Sequence, residues 1–196
     1  SHYNRALCIY EELGDRHGES MILSSVGVLY RHQGRLNDAL DSYTRALTIG
    51  RELGHQRLEA SVLSHLGSLV SLHGRKQRGF QYYHDALRIM RSVGDRRRVG
   101  TILGNLGNIS LSKPEKALEY YNEALLISRE VGDRRSEGIV LGNLGNLYHK
   151  QLGRPEEALM SFNEAILIDR EVGNRRSEGI ALGSLAGLHR DLGQRE

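Results

Sequence analysis

An all-α fold of antiparallel helix pairs stacked along the chain is what this sequence predicts, and three observations predict it. First, one segment recurs with a period near forty residues, the mark of repeated supersecondary units rather than a single globular core. VGDRRSEGIVLGNLGNLY at 131–148 returns as VGNRRSEGIALGSLAGLH at 172–189 and as VGDRRRVGTILGNLGNIS at 93–110, and more faintly twice before that. Second, apolar and small residues within each copy keep helical spacing. Third, Gly-Asp or Gly-Asn punctuates the copies where one helix must stop and the next begin.

The first helix of each unit is defined by a small residue, Gly27, Gly67, Gly107, Gly145 or Ala186, at spacings of 40, 40, 38 and 41. A leucine lies four before it (Leu23, Leu63, Leu103, Leu141, Leu182) and an apolar residue one before (Val26, Leu66, Leu106, Leu144, Leu185). Tyr30, Val70, Ser110, Tyr148 or His189 lies three after, so all of these share one helical face. A second helix follows, with a small residue, an aromatic four later and an alanine three after that. The sets are Ala39/Tyr43/Ala46, Gly79/Tyr83/Ala86, Ala117/Tyr121/Ala124 and Ala158/Phe162/Ala165. Small residues let the paired helices approach closely and the aromatic fills the space between them.

Gly14, Gly54, Gly94, Gly132 and Gly173 sit where second helices end and suit the left-handed position after a helix. Asp15, Asp95, Asp133 and Asn174 follow as N-caps, and Pro114 and Pro155 suit first turns. Tyr3 and Ala6 stand 40 residues before Tyr43 and Ala46, so the chain is expected to open in the second helix of a partial unit. The expected division is a single array: a partial unit at 1–14, full units at 15–54, 55–94, 95–132 and 133–173, and a lone first helix at 174–196, ten helices in all. The third unit is two residues short between its helices and the fourth gains one before Gly153, so a local step in curvature is expected near 108–116.

Leu-x-x-Leu-Gly-x-x-Tyr followed by Ala-x-x-x-Tyr-x-x-Ala resembles the tetratricopeptide repeat (TPR) over essentially the whole chain. The units exceed the usual 34-residue repeat by about six residues. With Gly-Asp at the junctions and repeated Leu-Gly-Asn, they resemble the variant of the LGN/Pins polarity adaptors, and similar units occur in bacterial regulators. The resemblance implies an alpha-alpha superhelix, a right-handed solenoid whose first helices line a concave groove.

It also implies the groove positions, two before and one after each small residue. These give His65 and Ser68, Asn105 and Asn108, Asn143 and Asn146, and Ser184 as candidate peptide-binding residues, with Ser25, Val28 and Gly187 at the equivalent places. Small polar side chains there would leave room for a peptide and hydrogen-bond its backbone. The competing reading is that asparagine is tolerated on a solvated face and copied by repeat duplication. The clamp for a C-terminal carboxylate is not expected, because Ser24, Thr101 and Gly104 stand where its lysines would fall.

Arg96/Arg97, Arg134/Arg135 and Arg175/Arg176 open successive first helices, where cations oppose the helix dipole. Either they answer acids such as Glu130 and Glu171 in neighbouring second helices, or Arg134, Arg135, Arg175 and Arg176 form a rim that draws in an acidic ligand.

Composition supports the folded reading: 39% hydrophobic and 26% charged residues exclude disorder. No apolar run reaches the length of a membrane span and no signal-peptide pattern opens the chain, so a cytoplasmic protein without membrane contact is expected. The net charge of +3 is uneven. Eight basic residues against Asp85 and Asp95 between Arg75 and Arg98 make a local +6. A basic patch on a near-neutral body favours an acidic protein segment over nucleic acid.

The single cysteine, Cys8, is expected to be a packed or half-buried thiol. None of the nine histidines forms a ligand pair with a carboxylate on one helical face, and the glycines at 100, 104 and 107 follow no strand. No catalytic constellation, metal or cofactor is therefore expected. A protein-interaction scaffold binding an extended or partly helical acidic peptide is the first reading. The alternative is a sensor or self-association arm of a larger switch ATPase or transcription regulator. Uncapped apolar ends are expected to permit self-association.

Overall fold

The structure, a computed structural model, describes residues 2–193. Ser1 and residues 194–196, the outermost parts of the two expected partial units, lie outside the described residues. Ten α-helices account for nearly all of it, and no strand occurs among the described residues. They are α1 (His2–Leu13), α2 (Arg16–His32), α3 (Leu36–Glu52), α4 (Gln56–Leu72), α5 (Lys76–Ser92), α6 (Arg96–Ile109), α7 (Pro114–Glu130), α8 (Arg134–Leu147), α9 (Pro155–Glu171) and α10 (Arg175–Asp191).

The chain divides into two compact units, Ser1–Asp95 with α1 to α5 and Arg96–Glu196 with α6 to α10. In the first, α2 packs on α3 and α4 on α5, with α1 against α2 and α3 against α4. In the second, α6 packs on α7, α8 on α9 and α10 on α9, with α7 against α8. Turns of two to four residues, and the longer connection 148–154 between α8 and α9, make consecutive helices within each unit antiparallel.

The small-residue and aromatic positions meet as the spacing predicts. A Cβ added to Gly27 would lie 2.6 Å from the Tyr43 ring, one on Gly107 2.5 Å from Tyr121 and one on Gly145 2.5 Å from Phe162. At Gly67 the corresponding distance to Tyr83 is 3.1 Å, a looser fit. All four rings are buried, and Leu23, Leu63, Leu103, Leu141, Val26, Leu66, Leu106 and Leu144 are buried with them. The last copy differs. Leu182 is 41% exposed and Ala186 is exposed, because among the described residues no further second helix covers that face of α10.

Gly14, Gly54, Gly94, Gly132 and Gly173 all have positive φ, between 63° and 70°, as their place after a second helix predicts. Asp15 accepts the Gly18 N–H at 2.9 Å and Asp133 that of Ser136 at 3.1 Å. The first helix at 56 is capped by a residue the sequence reading passed over: His55 Nδ1 accepts the Leu58 N–H at 3.2 Å. Asn174 corrects an expectation. Its side chain makes no cap bond but turns inward, buried, to donate from Nδ2 to Asp169 Oδ1 at 3.0 Å.

The irregular third and fourth repeats show where length changes are absorbed. After the short α6 the turn is closed by Lys113 N–H donating to Ser110 O at 2.8 Å, and Pro114 opens α7. The additional residue of the next repeat goes into a π-helical turn, Tyr148–Leu152, that ends at left-handed Gly153. A π turn accommodates one inserted residue without breaking the helix.

Cys8 also departs from expectation. It is exposed, because α1 turns Ala6, Leu7 and Tyr10 rather than Cys8 toward its neighbour. Its Sγ donates to Glu12 at 3.3 Å, and that carboxylate holds the thiol above its ordinary pKa, which makes it a poor nucleophile.

Candidate peptide-binding surface

The aromatic of each second helix decides what happens to the residue just after the small position. Tyr121 donates its hydroxyl to Asn108 Oδ1 at 2.7 Å, and the Tyr83 hydroxyl is hydrogen-bonded with Ser68. These two polar residues therefore satisfy a phenol that reaches through from the paired helix. Where the second helix carries Phe162 instead, there is nothing to satisfy. Asn146 donates to the Gly142 carbonyl of its own helix at 3.1 Å. Where Val28 stands at this position, the Tyr43 hydroxyl is left buried without a hydrogen-bond partner among the described residues, and burial pushes its pKa up to about 12.

The position two before the small residue behaves differently. In the first unit His65 lies 3.3 Å through Nδ1 from Ser24 Oγ and packs 5.4 Å from the Tyr43 ring. In the second unit Asn105 and Asn143 are half-buried, and among the described residues no hydrogen bond occupies either side chain. Ser184 is half-buried on α10, at the edge of a broad concavity of about 600 Å³ that also includes His149, Gly187 and Arg190.

The arginine pairs split in two. Each first member is an internal brace. Arg134 donates to Glu137 and Glu171, both at 2.6 Å, Arg175 donates to Glu178 at 2.6 Å, and Arg96 pairs with Glu130. Two of the glutamates that receive them, Glu137 and Glu178, are buried, whereas Glu130 and Glu171 are exposed. Glu137 is 2% exposed and also accepts Arg129 Nε at 2.8 Å, while Glu178 is 4% exposed and accepts Arg170 Nε at 2.7 Å. Each carboxylate thus takes one arginine from the preceding second helix and one from its own first turn, which satisfies a charge that burial alone would penalise. Of the second members, Arg97 pairs with Asp133 at 3.7 Å, while Arg135 and Arg176 are exposed and among the described residues neither makes an ion pair.

This bracing has a pH signature. The Arg170 hydrogen bond, with help from the Arg175 charge, holds Glu178 below its ordinary pKa of 4.5. A carboxylate depressed in the folded state stabilises the protein above its unfolded pKa and loses that contribution as the pH falls through the folded value. In thermal melts, the gap between the parent protein and Glu178→Gln should therefore be widest near neutrality and should close as the pH drops below 4.5. A gap constant down to about pH 3 would show that the pairing is not what the glutamate supplies.

Two residues that the sequence reading passed over complete the surface. Ile139 and Ile180 are 44% and 58% exposed, and both line a cleft of about 90 Å³ between α8 and α10. Asn143, Asn146 and Ser177 line it as well, and its floor is formed by Gly138, Gly142, Ala181 and Asp169. A signal for the isoleucines was present. The position six before each small residue reads Met21, Ser61, Thr101, Ile139 and Ile180, apolar in three copies although it lies off the packed stripe.

Among the described residues no group of three or more His, Cys, Asp or Glu is placed to hold a metal ion, and no helix is long and apolar enough to cross a membrane. What the second unit offers is an open face with unengaged amides, two exposed isoleucines and two unpaired guanidinium groups.

The fold recurs in solved structures of low sequence identity. Aspartyl phosphate phosphatase F from Bacillus subtilis superposes with a TM-score of 0.82 at 14% identity, over 97% of this chain and 53% of that one. The signal transduction ATPase with numerous domains from Pyrococcus horikoshii, which carries a tetratricopeptide repeat sensor, gives 0.77 at 21% identity over 89% of this chain and 27% of that one. The apo form of the quorum sensor NprR from B. thuringiensis gives 0.76 at 18% identity over 97% and 54%. This chain therefore spans about half of two of these proteins and about a quarter of the third. No curated protein sequence matches it. The tetratricopeptide repeat family model matches four overlapping stretches, residues 1–52, 18–92, 58–130 and 98–171, and the chain belongs to the tetratricopeptide repeat family.

Proposed function

We propose that the protein is a peptide-binding module, and that the face formed by α6, α8 and α10 of the second unit receives an extended, mainly acidic segment of a protein partner. The carrying observation is the cleft at Asn143, where an unengaged amide stands between exposed Ile139 and Ile180. An amide offers both a donor and an acceptor to a peptide backbone, and exposed isoleucines beside it would gain from being covered. Asn105 supplies a second amide one repeat earlier. The acidic preference comes from Arg135 and Arg176, the exposed rim guanidinium groups that make no ion pair among the described residues. Arg134 and Arg175 are committed to Glu137 and Glu178 and so contribute to the stack. Ser68 and Asn108 serve tyrosine hydroxyls, and His65 belongs to the first unit, where it would extend the ligand path if the two units form one array of the LGN/Pins kind.

Peptide display against the full chain, followed by titration calorimetry on the selected sequence, tests this. Asn105→Ala with Asn143→Ala is expected to weaken binding about 5- to 100-fold with helix content unchanged, from about 0.5–1.5 kcal/mol per hydrogen bond. Arg135→Ala with Arg176→Ala should flatten the salt dependence of binding. Unchanged affinity in the asparagine variant would overturn the assignment.

A second reading, that this array is the sensor or self-association arm of a larger regulator, draws on two similar structures named as sensors and on the quarter of the ATPase that this chain spans. It uses the same face and differs in what would be joined to it.

A further inference from the structure

One charged group in the second unit is not explained by the stack. Asp169, in the last turn of α9, is 1% exposed. Its Oδ1 accepts Asn174 Nδ2 at 3.0 Å, but Oδ2 is buried with no hydrogen-bond partner among the described residues. A buried polar atom left unsatisfied is costly, and a carboxylate oxygen especially so. Repeat packing does not call for it. The equivalent position in the other second helices holds Tyr10, Gly50, Met90 and Ser128. The carboxylate packs closely against α8: a Cβ on Gly138 would come within 2.9 Å of Oδ1.

Asp169 forms part of the floor of the 90 Å³ cleft, beneath Ile139 and Ile180. Gly142, which also lines the cleft, has nothing within 4 Å of where a Cβ would stand, so the cleft is open on that side, while Oδ2 itself is closed to solvent. The nearby charges are Arg135, which favours the ionised form, and Glu178, which opposes it and is itself held by Arg170 and Arg175. Burial is the largest influence on the carboxyl and raises its pKa.

We propose that this cleft is a pocket for one lysine-type side chain of the bound peptide, its ammonium donating to Asp169 Oδ2 and its aliphatic stem lying between Ile139 and Ile180. The cleft, about 90 Å³ and open to solvent, has room for an ammonium and a short methylene stem. One free carboxylate oxygen suits a compact point charge better than a guanidinium, whose fork wants two acceptors. The pocket deepens the peptide reading: a ligand mainly acidic toward Arg135 and Arg176 would carry a single lysine in register with Asp169. It rests on that reading for the source of the side chain, and the test is chosen so that it does not need the peptide.

The test titrates n-butylammonium chloride, and separately n-butanol, into the full chain labelled with nitrogen-15, at constant ionic strength. The Gly138, Gly142 and Ala181 amide resonances should move saturably with the ammonium at millimolar concentration, the range accessible to so small a ligand, and at least about tenfold more weakly with the alcohol. The near-isosteric Asp169→Asn should abolish the difference between the two probes. Gly142→Met, which leaves the carboxylate untouched and fills the approach, should abolish binding of both. Absence of saturation with the ammonium overturns the pocket. So does an equal response to the alcohol, or an undiminished preference in Asp169→Asn. If the ammonium fails while the asparagine variants still weaken a displayed peptide, only the pocket falls. If it binds while they have no effect, the pocket stands as a cation site and the peptide reading falls.

Discussion

Replacing Phe162 with alanine is expected to cost about 3–5 kcal/mol of unfolding free energy, the range for removing a buried aromatic from a packed core. Phe162 is fully buried, its ring lies on Gly145, and it packs with Ala158, Leu188, Tyr148 and Leu185. Two features keep the cavity from collapsing. Gly145 has no side chain to lean into the void, and the helix pair is fixed from both sides by α7 against α8 and α10 against α9. Urea unfolding followed by circular dichroism would measure the loss, and a cost below about 1 kcal/mol would mean that the helices close over the gap. The informative control is Phe162→Tyr. A hydroxyl there would stand toward Asn146 as that of Tyr121 stands toward Asn108, with an amide already in place. It should be nearly neutral, and the Asn146 bond to Gly142 should be exchanged for one to the phenol.

That comparison also marks how far the sequence could be read. Helix pairing, the aromatic over the glycine and the left-handed glycine turns follow from period and spacing, because each is a local demand repeated four or five times. What the repeat hides is the exchange between neighbouring positions. Asn108 and Asn146 look alike in the chain, yet one serves a tyrosine and the other its own helix, because the partner residue is Tyr121 in one repeat and Phe162 in the next. Arg134 and Arg135 look alike too, but helical rotation turns one onto buried Glu137 and leaves the other in solvent. Asn174 reads as a cap only if Asp169 is an ordinary helix residue, and its side chain goes to that carboxylate instead. The departure of Asp169 from the small or apolar residues at its repeat position was the visible sign that it is not.

A pair of glycine substitutions three residues apart should move stability in opposite directions. Gly145→Ala is expected to destabilise by about 1–3 kcal/mol, because the added methyl would sit 2.5 Å from the Phe162 ring, which a closely packed helix pair cannot easily move away. Gly142→Ala is expected to stabilise by about 0.5–1 kcal/mol. Nothing lies within 4 Å of its Cβ position, so the helix gains propensity and the unfolded chain loses entropy without a clash. The same reasoning ranks Gly67→Ala as milder than Gly145→Ala, since its methyl would meet Tyr83 at 3.1 Å. Melting temperatures of the three variants settle the order, and a Gly142→Ala protein less stable than its parent would contradict it. Gly142 then becomes a test of purpose as well as of packing. A helix interior that would be more stable with alanine keeps glycine at the floor of the Ile139–Ile180 cleft, where a methyl group would occupy the path to Asp169. If Gly142→Ala raises the melting temperature and weakens binding of the selected peptide together, stability has been given up there for an open face.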